Sequence, residues 1–131
     1  MTCETAVYSL LNVAGVTAIV GTRIYPIVLP VSVPTPAIVY ELISSWRGGA
    51  LDAYAATHLT HARVQVNLLS ADHAVLLTMR AAVFAAMQFR RGALGGVTVH
   101  SVIPSGEGPD QYDPEMRLFL RPVDFTLTYE S

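Results

Sequence analysis

The segment from Thr60 to Leu69 constrains the fold more than any other, because polar and apolar side chains alternate along it. Successive side chains of a β-strand point to opposite faces, so this alternation predicts an antiparallel strand with one face buried and the other in water. The apolar face carries Ala62, Val64, Val66 and Leu68, and the polar face carries His61, Arg63, Gln65 and Asn67. Such a strand belongs to a sheet with helices packed against one face.

The predicted main helix follows this strand within the apolar stretch from Ala74 to Phe89. Its apolar stripe, at helical spacing, is Leu76, Met79, Val83 and Met87. Ser70 is the predicted N-cap, because a hydroxyl can accept from the free amides of the first turn. Arg90 and Arg91 suit the C-terminus, and Gly92 is the predicted cap beyond it.

A shorter helix is predicted at the start of the chain, with Thr2 as its N-cap and Glu4 in its first turn. Gly15 is expected to end this helix, and Val16 to Val20 to add a short helical turn that closes at Gly21. The proline-spaced segment that follows, residues 26–36, is predicted to be an extended connector because proline breaks helices.

Three further strands are predicted, from Ala37 to Ser45, from Val97 to Ile103 and from Met116 to Tyr129. The first is apolar on both faces and should be covered on both sides. The last changes phase at Arg121-Pro122, and a one-residue bulge there would keep both apolar sets on one core. The expected fold is therefore α+β: residues 1–131 form a single domain with an antiparallel sheet, mixed at most, of about four strands and two main helices on one face.

Composition narrows the class of function. Apolar residues make up 52% of the chain and charged residues 14%, which excludes a disordered tail. All eight basic residues are arginine and the formal net charge is −2, which argues against a free-standing binder of duplex DNA. No stretch reads as a secretory signal or a membrane span, so we expect synthesis in the cytoplasm. So few charges on a small chain predict that part of its surface meets protein, including copies of itself.

The predicted loops supply the candidates for that contact. Trp46 to Thr57 reads as one loop and Pro104 to Asp110 as another. Trp46, Arg47 and Tyr54 belong to the residue types that anchor protein interfaces, so we interpret them as contact residues. The alternative is that Trp46 covers the end of the core.

Chemical motifs are weak throughout. His58 and His61 would point to opposite faces of an extended strand and could not share a metal. Asp110, Asp113 and Glu115 cluster around Tyr112, but no nucleophile or positioned base accompanies them. The glycines Gly92, Gly95 and Gly96 lack the lysine and the following helix of a phosphate loop. We therefore predict no catalytic, cofactor or metal site.

Three arginines leave two interpretations open. Arg63, Arg117 and Arg121 all fall on predicted strands, where they could face nucleic acid or pair with nearby carboxylates. No aromatic ladder accompanies them, so a binder of single strands is weakly supported. Cys3 is the only cysteine, so no disulfide can form within the chain, and we interpret it as an unreactive residue.

The order of landmarks resembles the tail-completion family of long-tailed phages. Residues 16–26, Val-Thr-Ala-Ile-Val-Gly-Thr-Arg-Ile-Tyr-Pro, resemble the family's entry segment, and residues 36–40, Pro-Ala-Ile-Val-Tyr, resemble its first long strand. Residues 62–67, Ala-Arg-Val-Gln-Val-Asn, resemble its next strand, and an alanine-rich helix follows. Tyr112-Asp113 and residues 123–125 resemble its closing part. Each motif alone is weak, and the specificity lies in their order.

This resemblance implies a structural virion protein and no enzyme. Family members form a ring, usually a hexamer, that caps the tail tube, stops its polymerisation and offers a docking surface to head-completion or neck proteins. DNA would only pass through the lumen. The resemblance implies no cofactor and no contact with a membrane. On this basis we expect assembly in the host cytoplasm, Trp46, Arg47 and Tyr54 to contact neighbouring rings, and Arg117 and Arg121 to pair across subunits, with Tyr112 as a further contact.

Two other functions remain open at this point. One is a different ring protein of a phage neck or tail, either a head-completion adaptor or a tube subunit. The other is a small host enzyme or ligand-binding domain, which would form a low-order oligomer with a pocket.

Overall fold

The computed structural model describes residues 2–47 and 59–130, which form three helices and seven strands. The helices are α1 (Cys3–Leu11), α2 (Ala14–Val20) and α3 (His73–Met87). The strands are β1 (Ile24–Pro26), β2 (Ala37–Arg47), β3 (Leu59–Ser70), β4 (Gly92–Leu94), β5 (Val97–Glu107), β6 (Gln111–Asp113) and β7 (Leu118–Glu130). They make one sheet in the order β1-β2-β3-β7-β5-β4, with β6 also paired to β7.

The α+β class is confirmed, but the sheet is larger and more mixed than expected. The prediction of about four antiparallel strands missed β1, β4 and β6, each of three residues. A strand that short carries no readable alternation. The β1–β2 pair is parallel and every other pair is antiparallel. The helix expected as one extra turn is a third helix, α2, of seven residues.

The core lies between the three helices and one face of the sheet. The alternation predicted for residues 60–69 is confirmed, since β3 occupies the centre between β2 and β7 and its inward side chains are no more than 1% exposed. Those inward side chains are Ala62, Val64, Val66 and Leu68. The inward row of β7 lies beside them with Val123, Phe125 and Leu127, and α3 packs over both rows.

Both predicted ends of the main helix need correction. The N-cap of α3 is Asp72, whose carboxylate accepts from the amide of Ala74 at 2.9 Å. Ser70 remains the last residue of β3, and its hydroxyl accepts from the amide of Asp72 at 3.1 Å. At the other end the left-handed residue is Phe89, with φ of 60°, while Gly92 has already entered β4. The helix ends early because the Phe89 amide turns to donate to the carbonyl of Val102.

The first two helices differ from expectation at their junction. Thr2 is the N-cap of α1, as predicted, and its amide donates to the Thr5 hydroxyl at 3.2 Å. However, α1 ends at Leu11, and Gly15 lies inside α2 rather than ending a helix. Gly21 closes α2 with φ of 60°, which glycine adopts at low cost, so that prediction is confirmed.

The prediction that β2 is covered on both faces holds for its first half only. Val39, on the face away from the helices, is 5% exposed and lies beside the connector residues Ile27 and Leu29. From Leu42 onward every described residue of β2 is exposed. The strand also continues through Arg47, so Trp46 and Arg47 are strand residues and not loop residues.

The bulge predicted at Arg121-Pro122 does not occur against β3. β7 pairs with β3 in unbroken register, and the shifts fall between Leu42 and Ser44 in β2 and at two places in β5. The phase change in β7 instead moves its apolar side chains from one sheet face to the other: Phe125 enters the helix-covered core, whereas Leu120 borders the connector. β5 likewise extends through Glu107, into the segment expected to be a loop.

The turn between β4 and β5 supports α1 through a close backbone approach at Gly95. The Thr5 hydroxyl donates to the Gly95 carbonyl at 3.0 Å. Gly95 has φ of +59°, and a Cβ there would lie 2.4 Å from the Thr5 carbonyl oxygen. Only glycine fits this position without moving α1.

We expect Gly95→Ala to lower the free energy of unfolding by about 1–3 kcal/mol, because the added methyl forces the turn and α1 apart. Gly15→Ala is the matched control, since Gly15 lies in α2 with no atom within 4 Å of its added Cβ. That change should raise stability by up to about 1 kcal/mol. Urea denaturation of both variants measures the difference, and an equal effect of the two changes would contradict the close approach.

Candidate protein-interaction site

The predicted contact residues lie at two opposite ends of the sheet. Trp46 and Arg47 end β2, whereas Arg121 lies near the start of β7. β2 and β7 each run antiparallel to β3 between them, so the end of β2 and the start of β7 face opposite ways along the strands. Tyr112 lies on β6, beside the start of β7. Tyr54 falls outside the described residues.

Trp46 lies on the sheet face that turns away from the helices. Its ring stacks on His61 with centroids 5.5 Å apart, and 52% of the residue is exposed. His61 belongs to the outward row of β3, and its Nδ1 lies 2.9 Å from the Thr128 hydroxyl. Trp46 is therefore a half-exposed aromatic on an outward patch and does not cover the end of the core.

On the side away from β3, the second half of β2 has no neighbouring strand among the described residues. β1 pairs only with Ile38 to Tyr40. The last backbone hydrogen bond on this side of β2 is the one that the Ile27 amide donates to the Tyr40 carbonyl at 2.8 Å. Beyond that point Leu42, Ile43 and Trp46 are all exposed. An exposed apolar strand edge is a template for pairing with another chain, so we regard it as part of the interaction site.

An ion network occupies the other end of the sheet and engages Arg121 within the chain. Its Nε lies 2.6 Å from an Asp110 carboxylate oxygen, and a guanidinium nitrogen lies 3.4 Å from Glu107. Arg80 of α3 also pairs with Glu107, and His73 Nε2 lies 2.8 Å from Asp110. The network ties α3, β5 and β7 together.

The arginines set the charge state of this network. Hydrogen bonds from Arg80 hold the pKa of Glu107 below its ordinary value of 4.5. Hydrogen bonds from Arg121 and then from His73 hold the pKa of Asp110 below its ordinary value of 3.8. Both carboxylates are therefore ionised across the neutral range, and the alternative that strand arginines pair with nearby carboxylates is confirmed for Arg121.

The other two arginines of that set differ from each other. Arg63 of β3 pairs with Asp124 of β7, a residue that is 8% exposed, on the outward face of the sheet. Arg117 lies in the turn before β7, with φ of 56°, and not on a strand as expected. It forms no ion pair with any described residue, so its predicted role in a contact stays a prediction.

The acidic cluster around Tyr112 has a structural use. The Asp113 carboxylate accepts from the amides of Glu115 and Met116 and so fixes the turn before β7. The Tyr112 ring is half-exposed and lies with its centroid 4.9 Å from that of Phe119. An exposed aromatic on β6, beside a fixed turn, suits a protein contact better than acid–base chemistry.

Chemistry at the remaining candidates is limited. Burial, and then the charge of Glu4, raise the pKa of the Cys3 thiol to about 12, so the thiol stays protonated. Within residues 2–47 and 59–130, no three His, Cys, Asp or Glu side chains come close enough to hold a metal. No single helix there is long and apolar enough to cross a membrane; α1 and α2 would pass only as a pair bent by 79°.

Sequence reasoning missed a groove that separate segments build together. A cleft of about 580 Å³ runs along α1 and is lined by Glu4, Tyr8 and Ser9 on one side and by Pro26 and Tyr40 on the other. It also missed the exposure of Phe89, which the helical pattern had placed at the end of α3. The helical run is broken by a backbone hydrogen bond to β5, which no local pattern reveals.

The ion network predicts a specific acid sensitivity. Because Glu107 and Asp110 have lowered pKa values when folded, their contribution to stability is full at neutral pH and is lost as pH falls below about 4.5. We expect Arg121→Gln to make the free energy of unfolding fall less steeply as the pH drops below about 4.5, a part of the pH profile that we call the acid limb. Arg117→Gln is the matched control and should leave it unchanged. Free energies of unfolding between about pH 3 and pH 7 measure both, and equal acid limbs would refute the network.

Comparison with known proteins identifies the family. The family described as Tail completion protein gp17 matches residues 5–130. Sixteen chains of solved structures match, among them one from "Virion of native gene transfer agent (GTA) particle", with a TM-score of 0.68 and 21% identity over 98% of this chain and 95% of that chain. That likeness concerns the fold, and comparison with curated proteins finds no match. Since the family match spans nearly the whole sequence, the resemblance is confirmed: this chain belongs to the Tail completion protein gp17 family.

Proposed function

We propose that this chain is a tail terminator of a phage-like particle. Copies form a closed ring, six by the family resemblance, that caps the end of the tail tube and stops its polymerisation. The axial face of the ring that points away from the tube then binds a head-completion or neck protein. Membership of a tail-completion family and a fold shared with a chain of a gene transfer agent particle support this proposal.

One observation supports the proposal most directly: the candidate contact residues lie at opposite ends of one sheet. Trp46 and Arg47 lie where β2 ends, and Tyr112 and Arg117 lie where β7 begins. A ring with its axis along the strands would present one set to the tube and the other to the neck. A terminator needs two such axial surfaces, because it joins two unlike partners.

The mechanism is steric and needs no catalytic group. A ring seated on the last tube layer covers the surface that the next layer would bind, so growth stops. DNA passes through the lumen and is not read, which fits a net charge of −2 and an outward sheet face on which Arg63 is paired with Asp124. Binding energy at the two axial surfaces supplies all that the function requires.

A closed ring further requires a heterologous interface, in which one surface of each copy meets a different surface of the next. The open edge of β2, with exposed Leu42 and Ile43, is suited to such a contact. The lateral contact closes the ring, and a terminator differs from a tube subunit in its second axial surface, which binds a neck protein and not a further tube layer.

The expected particle is a ring of about six copies with a central hole, formed from the purified chain as its concentration rises. Light scattering on a sizing column measures the mass, and negative-stain images of the peak show the hole. Long tubes formed by this chain alone would identify it as a tube subunit instead. A low-order oligomer that a small ligand stabilises would favour a binding domain.

We expect Trp46→Ala to weaken capping of purified tail tubes by at least about 10-fold while the fold is retained, because an exposed aromatic anchor is lost and no core contact is. Val31→Ala is the matched control, since Val31 is 94% exposed in the connector and belongs to neither set of contact residues. Sedimentation of capped tubes measures binding. Normal capping by the Trp46 variant would remove this residue from the tube contact.

A further inference from the structure

Two surface features of opposite charge find no ion-pair partner within the described chain. The first is a cleft of about 580 Å³ along α1, bordered by Pro26 and Tyr40 and by Gly95 of the β4–β5 turn, which continues into a second cleft of about 330 Å³. Glu4, Pro26 and Tyr40 line both. We call this combined feature the α1–β2 groove; Glu41 and Leu42 complete its outer end.

The α1–β2 groove is acidic. Neither Glu4 nor Glu41 forms an ion pair with any described residue. Burial, and then the neighbouring Tyr8 and Glu4, raise the pKa of Tyr40. Arg47 is the cation of β2, and it lies at the far end of that strand from Glu41. Among the residues that line the groove are two carboxylates and two tyrosines, and none of the described lining residues is a cation.

The second feature lies where the chain leaves α3, in an exposed basic segment before β4. We call residues Phe89, Arg90 and Arg91 the basic corner. Phe89 is 69% exposed in a left-handed conformation, and both arginines are exposed and form no ion pair with any described residue. The base of the corner is held because the Phe89 amide donates to Val102 and the Arg90 amide to Met87.

The positions of these two features allow one molecule to use both at once. The groove and the corner share no residue: the corner precedes β4, whereas the turn beyond the other end of β4 reaches the groove at Gly95. A contact between a groove and a corner joins unlike surfaces, so in a joined pair one copy keeps a free groove and the other keeps a free corner. Repetition of such a contact is heterologous and closes into a ring when the rotation allows.

We propose that the basic corner of one copy docks in the α1–β2 groove of the next copy. This inference rests on the proposed ring and names its lateral interface. Arg90 and Arg91 neutralise Glu4 and Glu41, and a guanidinium can lie over the faces of Tyr8 and Tyr40. Phe89 fills the apolar part of the groove beside Pro26 and Leu42. The occupant is a second copy because the same chain carries both complementary charges, each unmatched in the monomer.

Charge reversal tests the interface with three samples. The first carries Glu4→Arg and Glu41→Arg, the second carries Arg90→Glu and Arg91→Glu, and the third is an equal mixture of the two. We expect each variant alone to associate at least about 30-fold more weakly than the unmodified chain. The mixture should regain the ring, because every groove then meets a corner of opposite charge. Glu115→Arg, a carboxylate outside both the groove and the corner, is the control for ring formation and should form rings normally.

The readout is mass by light scattering together with capping of tail tubes, so that a chain that assembles only on the tube is also tested. Ordinary assembly by either reversed variant, or a mixture that stays dissociated, would overturn the inference. An unmodified chain that neither forms rings nor caps tubes would instead overturn the proposed function. If a reversed variant melts at a lower temperature than the unmodified chain, the neutral versions with Gln at the same positions replace it.

Discussion

Burial of the inward row of β3 is the constraint on which the rest of the molecule depends. The strand lies at the centre of the sheet, and its inward side chains are covered by α3 and flanked by the inward row of β7. Leu68 and Phe125, both fully buried, lie in this layer. A one-residue slip of β3 would move its four apolar side chains into water, so the register of the whole sheet is set here.

The outward face of the same strands is stabilised differently. On that face Arg63 pairs with Asp124 across β3 and β7, whereas on the side of α3 Arg121 pairs with Asp110 and Glu107 where β7 begins. These pairs engage two of the eight arginines and three of the ten carboxylates of the chain. The charges that stay unpaired among the described residues, such as Glu4, Glu41, Arg90 and Arg91, therefore mark surfaces available to other molecules, and we place the lateral contact there.

The parts of the fold that were predictable are those where one local pattern decides. The alternation of residues 60–69 gave β3, the spacing of Leu76, Met79 and Val83 gave α3, and Gly21 gave the end of α2. The caps of α3 were not predictable, because Ser70 and Asp72 compete and pairing of Ser70 with Phe119 decides between them. The phase change in β7 was misread because the connector that covers the second face lies far away in sequence.

The candidate site was predictable only as a choice of residue types. Trp46 and Tyr112 proved exposed, but their placement at opposite ends of the sheet depends on strand directions that no single segment encodes. The groove along α1 depends on residues as distant as Glu4 and Tyr40.

The central claim, that this chain stops tube growth by capping, is tested most directly by tube length. Tail-tube protein of the same particle is polymerised with and without the purified chain, and the lengths are measured in electron micrographs. The account predicts shorter tubes as the chain is added, with one ring of it at a tube end and none along the wall. Tubes of unchanged length, or tubes with the chain incorporated along them, would contradict it.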